Sequence, residues 1–254
     1  MSRRSVLAST WRLEMRDVEQ CLARSFWFRC GKRIFDVVFS IAGLIFSFPF
    51  WVFIVLAIVC EGGPPIFFRK RVLGFQGRPF DMLKFRTMSV RTNAKEGPLH
   101  IRRDDPQITW VGQWLRRCAL DELPQLLNIL RGDMSVVGPR AWRHSVYRGQ
   151  SEIERIVAEA YAIVRPGLTG FAQVYGHYYL TALQKSRYDR LYVRSVSMGL
   201  DLLLVCKSIL RTLQAGWQND QKADHRRSKA QIGPLSTSAV AKATSFSEGG
   251  LIEQ

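Results

Sequence analysis

Two adjacent carboxylates, Asp121 and Glu122, lie in the segment LDELPQL, among basic and apolar residues. An aspartate carboxylate can act as a nucleophile and form a covalent intermediate. A second carboxylate can hold a hard cation such as Mg²⁺, which typically binds through one or two carboxylates together with substrate phosphates. The alternative is that both acids only place negative charge near a helix N-terminus, which stabilises a helix by less than about 1 kcal/mol. The pair therefore indicates phosphoryl chemistry only if cations accompany it.

Basic residues do occur singly within apolar stretches on both sides of this pair, and several stand at turns marked by Gly or Pro. Cations carried by turns can converge on one site and bind an anion. The alternative is ordinary surface charge whose aliphatic stems cover apolar surface. The residues that fit the pattern are Lys84, Arg86, Arg116, Arg140 and Arg165.

The segment that must position the carboxylates has the apolar spacing of a helix from residue 110 onward. Pro124 should interrupt this helix near Leu123, because the residue before a proline avoids the helical region. A second short helix, PQLLNILRG, is then predicted to end at Gly132. Asp121 and Glu122 should thus lie at a junction between two helices. Elsewhere the patterns predict strands at 78–88 and 168–175, a helix at 151–164, and one or two helices at 181–214.

Two other groups of residues carry alternative interpretations. Asp104 and Asp105 resemble the metal-binding acid pair of a glycosyltransferase, although their position before a proline favours a plain loop. Asp189, between Tyr188 and Tyr192, either lies in a cleft or belongs to a half-buried helix face.

An apolar run from Val37 to Cys60 contains 24 residues without a formal charge. A membrane helix needs about 20 such residues, so we expect membrane contact. Basic residues flank the run on both sides, and such residues favour the cytoplasmic side of a membrane. Pro49 can kink or break the helix, which allows it to enter and leave on one face. A plain transmembrane helix with a tolerated proline remains the alternative. Asp36, at the start of the run, favours a shallow insertion.

The composition of the chain limits the class of protein and the kinds of partner that it can have. The chain has 254 residues, a formal net charge of +16 and 47% hydrophobic residues. This excludes a wholly disordered chain, and the anionic partners it favours are nucleic acid, phospholipid or phosphorylated metabolites. Five widely spaced cysteines and four histidines without ligand spacing predict neither a disulfide framework nor a zinc site. The polar stretch 220–254 reads as a disordered tail, and 1–31 as a basic leader that either forms an interfacial helix or is poorly ordered.

The order of motifs resembles the bacterial sugar transferase family, the monotopic phosphoglycosyl transferases, over about residues 30–214. The motifs are KRIFDVVFS, PPIFFRKRVLG, FDMLKFRTM, the segment DDPQITWVGQWLRRCALDELPQLLNILRGDMSVVGPRA, VRPGLTGFAQVYG and RYDRLYVRSVSMGLDLLLVCKSILRTL. The resemblance implies transfer of a sugar phosphate from a nucleotide diphosphate sugar to polyprenyl phosphate, with Mg²⁺, and a re-entrant anchor in the inner membrane. It implies no nucleic acid partner, and it suggests downstream glycosyltransferases as further partners.

Residue by residue, the resemblance makes Asp121 the nucleophile and Glu122 its metal-binding neighbour. Lys84, Arg116 and Arg140 match phosphate-binding residues, and Asp189 matches a further acid near the site. Arg86 and Arg165 are kept as additional candidates. This chain differs from the family at Ala141, where members commonly carry proline after Gly-Pro-Arg, and at the helix break, where Ser47 stands two residues before Pro49 instead of one.

The expected fold is α/β: a compact, mostly helical cytoplasmic domain with a few short strands, anchored by one re-entrant helix. The expected divisions are a leader at 1–31, the membrane helix at 32–60, the catalytic domain at 61–219 and the tail at 220–254. A non-catalytic, membrane-anchored protein that binds anionic lipid or nucleic acid is the rival hypothesis. A third is a glycosyltransferase that uses Asp104 and Asp105 and releases a nucleoside diphosphate. The sequence does not identify the sugar.

Overall fold

The computed structural model describes residues 25, 27–89, 105–143, 163–176 and 182–214. The expectations for the leader up to residue 24, for Asp104, for the helix at 151–162 and for the tail lie outside these residues. The described part is mostly helical with a few short strands, as expected. In chain order the elements are α1 (Lys32–Gly62), β1 (Phe67–Leu73), β2 (Pro79–Phe85), α2 (Trp110–Arg117), α3 (Gln125–Arg131), β3 (Ser135–Val137), β4 (Trp142–Arg143), β5 (Gly167–Thr169), α4 (Phe171–Tyr175), α5 (Ala182–Arg194) and α6 (Met198–Gln214).

Helix α1 contains the whole apolar run and is, within the described residues, the one helix long and apolar enough to cross a membrane. A π-helical turn at Trp27–Gly31 precedes it. The helix ends at Gly63, whose φ of 63° is left-handed and whose N–H donates to Val59 O at 2.9 Å. All residues from 32 to 62 are helical, Pro49 included, so the predicted break does not interrupt the helix. A proline removes one hydrogen bond of a helix, and the flanking residues can keep their helical dihedral angles.

One stripe of α1 faces the rest of the protein, and its N-terminal part is polar. The buried residues are Lys32, Asp36, Ser40, Ser47, Ile54 and Ile58. The ammonium of Lys32 lies 2.8 Å from Asp201 Oδ2 on α6. Asp36 Oδ1 accepts hydrogen bonds from Ser135 Oγ at 2.9 Å and from the Val136 N–H at 2.8 Å. Asp36 therefore anchors α1 to β3, and a shallow insertion of the helix stays a prediction.

The strands form two small sheets. β1 pairs antiparallel with β2, with Phe67 opposite Phe85, and its other edge pairs with β4. β2 matches the strand expected at 78–88, whereas the basic cluster in β1 concealed that strand from the sequence pattern. β3 and β5 pair in parallel. The strand predicted at 168–175 is wrong beyond Thr169, because the backbone turns at Gly170 and continues as helix α4.

Two apolar clusters hold these elements together. The larger is formed by residues of the sheets, α3, α5 and α6, with Ile129, Val137, Tyr192 and Leu204 fully buried. The smaller joins Ile54 and Ile58 of α1 to Phe85, Val111 and Leu115. Helix α1 therefore packs on the same domain near both of its ends. The one or two helices expected at 181–214 are two, α5 and α6.

Candidate functional site

The two carboxylates lie at a helix junction, as the sequence predicts. Helix α2 ends at Arg117, and Ala119 takes a left-handed conformation with φ of 54°, which is uncommon for a residue with a Cβ. A single 3₁₀ turn, Leu120–Glu122, carries both acids, and Pro124 immediately precedes α3. Such strained backbone is characteristic of functional sites.

Asn128 of α3 fixes this junction against the hairpin. Its side chain accepts a hydrogen bond from the Leu83 N–H at 2.9 Å and donates one to Asp81 O at 2.9 Å. β2 is the outer strand of its sheet, so the amide of Asn128 satisfies edge groups that no strand pairs. The residue is fully buried. This pairing brings Lys84, the residue after Leu83, opposite the carboxylates.

Lys84 lies between both acids. Its Nζ donates to Glu122 Oε1 in a short ion pair and lies 3.6 Å from Asp121 Oδ2. Burial lowers the pKa of Lys84, but the charges of Glu122 and Asp121 outweigh it and raise the pKa above its usual value. For Glu122, burial alone would raise the pKa, but Lys84 with Arg140 and Lys70 lowers it below its usual value. Both partners are therefore charged at neutral pH.

The environment of Asp121 differs from that of its neighbour. Its side chain is 13% exposed, against 33% for Glu122. Burial raises the pKa of Asp121 above its ordinary value, Lys84 and Arg116 oppose that rise, and the charge of Glu122 adds to it. A partly desolvated carboxylate is a more reactive oxygen nucleophile than a hydrated one, and the neighbouring cations keep it ionised.

Two of the predicted arginines surround this pair. Arg116 lies at the end of α2, donates from Nε to Thr87 Oγ1 at 2.9 Å, and lowers the pKa of Asp121. Arg140 follows β3 with an exposed side chain, and its charge acts on Lys84 and Glu122. The structure thus brings Lys84, Arg116 and Arg140 to the same two carboxylates.

Asp189 on α5 adjoins the same group of charges. It is 1% exposed. Burial raises its pKa to about 6, while Lys185 and the backbone N–H of Arg140 oppose the rise. One helical turn earlier, burial lowers the pKa of Lys185 to about 7, with Asp189 opposing and Arg140 and Lys70 reinforcing the effect. Of the two readings left open for Asp189, the structure supports a buried place beside the candidate site.

Two predicted site residues lie elsewhere and bind helix ends. Arg86 is 8% exposed and donates to Gly63 O at 2.6 Å and to Ile58 O at 3.3 Å, at the C-terminus of α1. Arg165 donates from Nε to Gly132 O at 2.8 Å, just beyond α3. The last carbonyls of a helix lack partners within the helix and carry partial negative charge, which explains both contacts. These arginines therefore stabilise helix ends in the structure, and a role for either in the site stays a prediction.

The carboxylate oxygens at the junction suit a Mg²⁺ ion that also binds substrate phosphates. Among the described residues no three acidic, histidine or cysteine side chains come together as a metal site. Mg²⁺ nevertheless binds through one or two carboxylates when substrate phosphates supply the other oxygens, and Asp121 and Glu122 offer such carboxylates. Asp105, by contrast, accepts a hydrogen bond from the Gln107 N–H at 2.9 Å within its own turn, which supports the plain-loop interpretation.

Sequence reasoning missed three residues of this site. Lys70 pairs with Met82 across the hairpin, so it shares a face with Lys84, but it lies in a basic cluster that reads as a membrane flank. Lys185 stands four residues before Asp189, which looks like an ordinary helix-surface pair. Asn128 has no sequence signal that distinguishes it from a polar residue on a helix.

Comparisons with known proteins identify the family of this chain. The model of the family described as bacterial sugar transferase matches residues 27–215. Exopolysaccharide production protein ExoY of Sinorhizobium fredii is 38% identical over 193 residues, 70% of this chain and 84% of that protein. The undecaprenyl-phosphate glucose phosphotransferase of Komagataeibacter xylinus is 33% identical over 74% of this chain and 36% of its own length. The UDP-glucose:undecaprenyl-phosphate glucose-1-phosphate transferase of Escherichia coli is 36% identical over 72% of this chain and 40% of its own length. This chain thus spans well under half of the latter two proteins. Because the family match extends from the start of α1 to the end of α6 and includes every residue of the charged junction, the chain belongs to the bacterial sugar transferase family.

Proposed function

We propose that the protein is a phosphoglycosyl transferase that moves a sugar-1-phosphate from a UDP-sugar to undecaprenyl phosphate, the first membrane step of exopolysaccharide synthesis. The names of the similar proteins support the substrates and the pathway. The observation that carries the proposal is the junction itself: a half-buried Asp121 beside Glu122, with Lys84 between them. Such an arrangement suits transfer of a phosphoryl group better than mere binding of an anionic surface.

In the first step, a carboxylate oxygen of Asp121 attacks the phosphorus next to the sugar. A P–O bond to Asp121 forms as the bond to the nucleoside monophosphate breaks, and UMP leaves with the bonding electron pair. Lys84 and Arg116 already lie near the attacking carboxylate, and Arg140 acts on the same charges. Fixed cations of this kind stabilise the charge that builds on the transferring group without reorganisation.

In the second step, a phosphate oxygen of the lipid attacks the same phosphorus. The P–O bond to Asp121 breaks, the carboxylate is regenerated, and the product is a lipid diphosphate sugar. No net proton is consumed by either displacement. Mg²⁺ held by Glu122 and the substrate phosphates would supply further charge neutralisation. Asp121 and Glu122 thereby have separate roles as nucleophile and as metal ligand.

We further propose that α1 enters the inner membrane from the cytoplasmic face and returns to it, with the bend at Pro49. Two contacts support this. The start of α1 is held by Asp201 through Lys32, and its end by Arg86, both within one domain. Only 17% of the most apolar 18-residue window of α1 is buried, which is unlike a core helix. The exposed side chains are large and apolar: Ile34, Val38, Ile41, Ile45, Phe46, Phe48, Phe50, Val52, Phe53, Leu56 and Val59.

The activity is tested by incubating the detergent-purified protein with a panel of UDP-sugars, undecaprenyl phosphate and Mg²⁺, and measuring UMP. We expect UMP with at least one sugar. With radiolabelled UDP-sugar and no lipid, label should stay on the protein and map to Asp121. Asp121→Asn should abolish both signals at any Mg²⁺ concentration, whereas Glu122→Gln should regain part of its activity at high Mg²⁺. Release of UDP would favour the glycosyltransferase hypothesis, and no nucleotide release with any sugar would favour the non-catalytic one.

The topology is tested with single cysteines at residues 5 and 95 after all five native cysteines are replaced by serine. A membrane-impermeant maleimide applied to spheroplasts should label neither position. Labelling of one position and not the other would show that α1 crosses the membrane. Pro49→Leu should then increase the fraction that crosses, because leucine restores the missing helix hydrogen bond.

A further inference from the structure

Helix α5 contacts the turn that carries Arg140 through two residues one helical turn apart. Lys185 Nζ lies 3.4 Å from Ala141 O and 4.1 Å from the centre of the Trp142 ring. Asp189 is buried, and the backbone N–H of Arg140 lies near its carboxylate. Residues four apart lie on the same face of a helix, so both side chains reach this turn together. Each of the three turn residues is therefore contacted from α5.

The turn before Arg140 is fixed just as closely on its other side. The Gly138 N–H donates to Thr169 O and the Gly167 N–H donates to Pro139 O, both at 2.9 Å. A Cβ at Gly167 would lie 2.0 Å from Gly138 N, so only glycine permits this approach. After the turn, Trp142 pairs with Leu73 of β1. The backbone between Gly138 and Trp142 is thus held at both ends, and Lys185 with Asp189 holds its middle.

The middle of the turn consists of Arg140 and Ala141, whose residue types do not restrict the backbone by themselves, so the contacts from α5 are important there. None of the described residues accepts a hydrogen bond from the Arg140 guanidinium, whose side chain is exposed. The backbone therefore sets the position from which this side chain extends. Residue 141 is alanine, whose φ is free, whereas a proline there would fix φ near −65°. Contacts from α5 to the Arg140 N–H and the Ala141 carbonyl restrict the same dihedral angles.

We infer that Lys185 and Asp189 are positioning residues, which hold the 140–142 turn so that the Arg140 guanidinium is directed at the Asp121–Glu122 site. This inference rests on the proposed function, since it assigns Arg140 a role in binding a substrate phosphate. The two residues act through Arg140 and not by touching the transferred group. The charges near the pair are those of Arg140 on the turn and Lys70 on β1.

The test combines Lys185→Met and Asp189→Asn with Arg140→Ala. In the parent protein, each α5 variant should lower kcat/KM by about 10-fold to 100-fold, because a displacement of about 1 Å near the reacting group costs up to about 100-fold. In the Arg140→Ala background, the same variants should cost less than about 3-fold, because the residue they position is already gone. Lys185→Arg should retain most activity, since arginine also donates to a carbonyl and binds an aromatic ring.

Arg187→Met is the matched control, because Arg187 is an exposed cation on the same helix. It should leave kcat/KM within about 2-fold of the parent. Full costs of Lys185→Met and Asp189→Asn in the Arg140→Ala background would overturn the inference, because the α5 residues would then act independently of Arg140. Parent-like activity of both variants would overturn it as well.

Amide hydrogen exchange of peptides covering residues 136–143 gives a readout that does not depend on turnover. Exchange in this segment should accelerate in Lys185→Met and Asp189→Asn, and not in Arg187→Met, while peptides from α3 stay unchanged. A parent protein that releases no UMP would refute the proposed function, and the exchange experiment would still decide whether α5 holds the turn. Unchanged exchange in both variants would refute the positioning role even in an active enzyme.

Discussion

Replacement of Lys84 by methionine is the most direct perturbation of the proposed nucleophile. The change keeps the length of the side chain and removes the charge that lies 3.6 Å from Asp121 Oδ2 and pairs with Glu122. Asp121 must be ionised to attack phosphorus. Its pKa is already raised by burial, and Lys84 opposes that rise. Loss of Lys84 should therefore raise the pKa of Asp121 further and lower the ionised fraction at a given pH.

The size of the effect follows from the distance and the surroundings. Two unit charges at this separation interact by about 4 kcal/mol at an effective dielectric constant of about 20. Lys84 is shared with Glu122, and Arg116 continues to act on Asp121, so we take about half of this value, about 2 kcal/mol. About 1.4 kcal/mol corresponds to a factor of ten. At pH values below the pKa of Asp121 in both proteins, kcat/KM of Lys84→Met should therefore be about 30-fold lower than that of the parent.

The assay is the pH dependence of UMP release for the parent protein and for Lys84→Met. For a carboxylate that must be charged, activity falls as pH drops through its pKa. The acid limb of the Lys84→Met profile should therefore lie at higher pH than that of the parent. Arg71→Met is the control, because it removes an exposed cation of β1 that pairs with Asp81 at 3.2 Å and contributes less than about 1 kcal/mol. An acid limb that stays in place or moves to lower pH would refute the assignment of Lys84 and Asp121.

Three further variants test the scaffold of the site by denaturant unfolding in detergent. Asn128→Leu leaves two backbone groups of β2 unpaired and should lower the free energy of unfolding by about 2–5 kcal/mol; a loss below about 1 kcal/mol would contradict the role of Asn128. Lys32→Met leaves the buried Asp201 without its ion-pair partner and should lower the free energy of unfolding by about 3–5 kcal/mol. Equal stability of the variant and the parent would show that the pair is dispensable. Arg165→Met removes a bond to Gly132 O and should cost about 1–2 kcal/mol. It should lower kcat/KM less than about 10-fold, and a larger loss would return Arg165 to the site.

The helix junction could be predicted from the sequence, whereas the roles of the single cations could not. Pro124 and Gly132 limit α3 through backbone constraints that are local, and local constraints can be read from one segment. The role of a lone arginine is not local. Arg86 and Arg140 look alike as single cations beside apolar residues, yet one binds the carbonyls of α1 and the other adjoins the carboxylates. A helix C-terminus and a phosphate both attract a guanidinium, so only the fold distinguishes them.

The same limit explains the elements that were wrong or missed. β1 carries Arg69, Lys70 and Arg71 in succession, which hides the alternation of a half-buried strand. Residues 171–175 contain aromatic and β-branched side chains that favour a strand. Gly170 nevertheless packs against Gly138, where a Cβ would lie 2.1 Å from Gly138 O, and the chain turns there into α4. Tertiary contact thus overrides local propensity at both places.

The apolar run shows how sequence and structure combine to explain the proposed anchor. A helix of a water-soluble domain directs apolar residues inward and polar residues outward. In α1 the buried stripe begins with Lys32, Asp36 and Ser40, while the exposed surface is aromatic and aliphatic. This inverted pattern is typical of a helix whose outer surface meets lipid, because polar residues in a membrane protein face its interior. Lys32 and Asp36 have partners in α6 and β3, so the start of the helix is stable only against its own domain. Arg86 binds the end of the helix to the same domain, so the proposed re-entrant course of α1, with both ends on one face of the membrane, leaves the contacts at both ends in place.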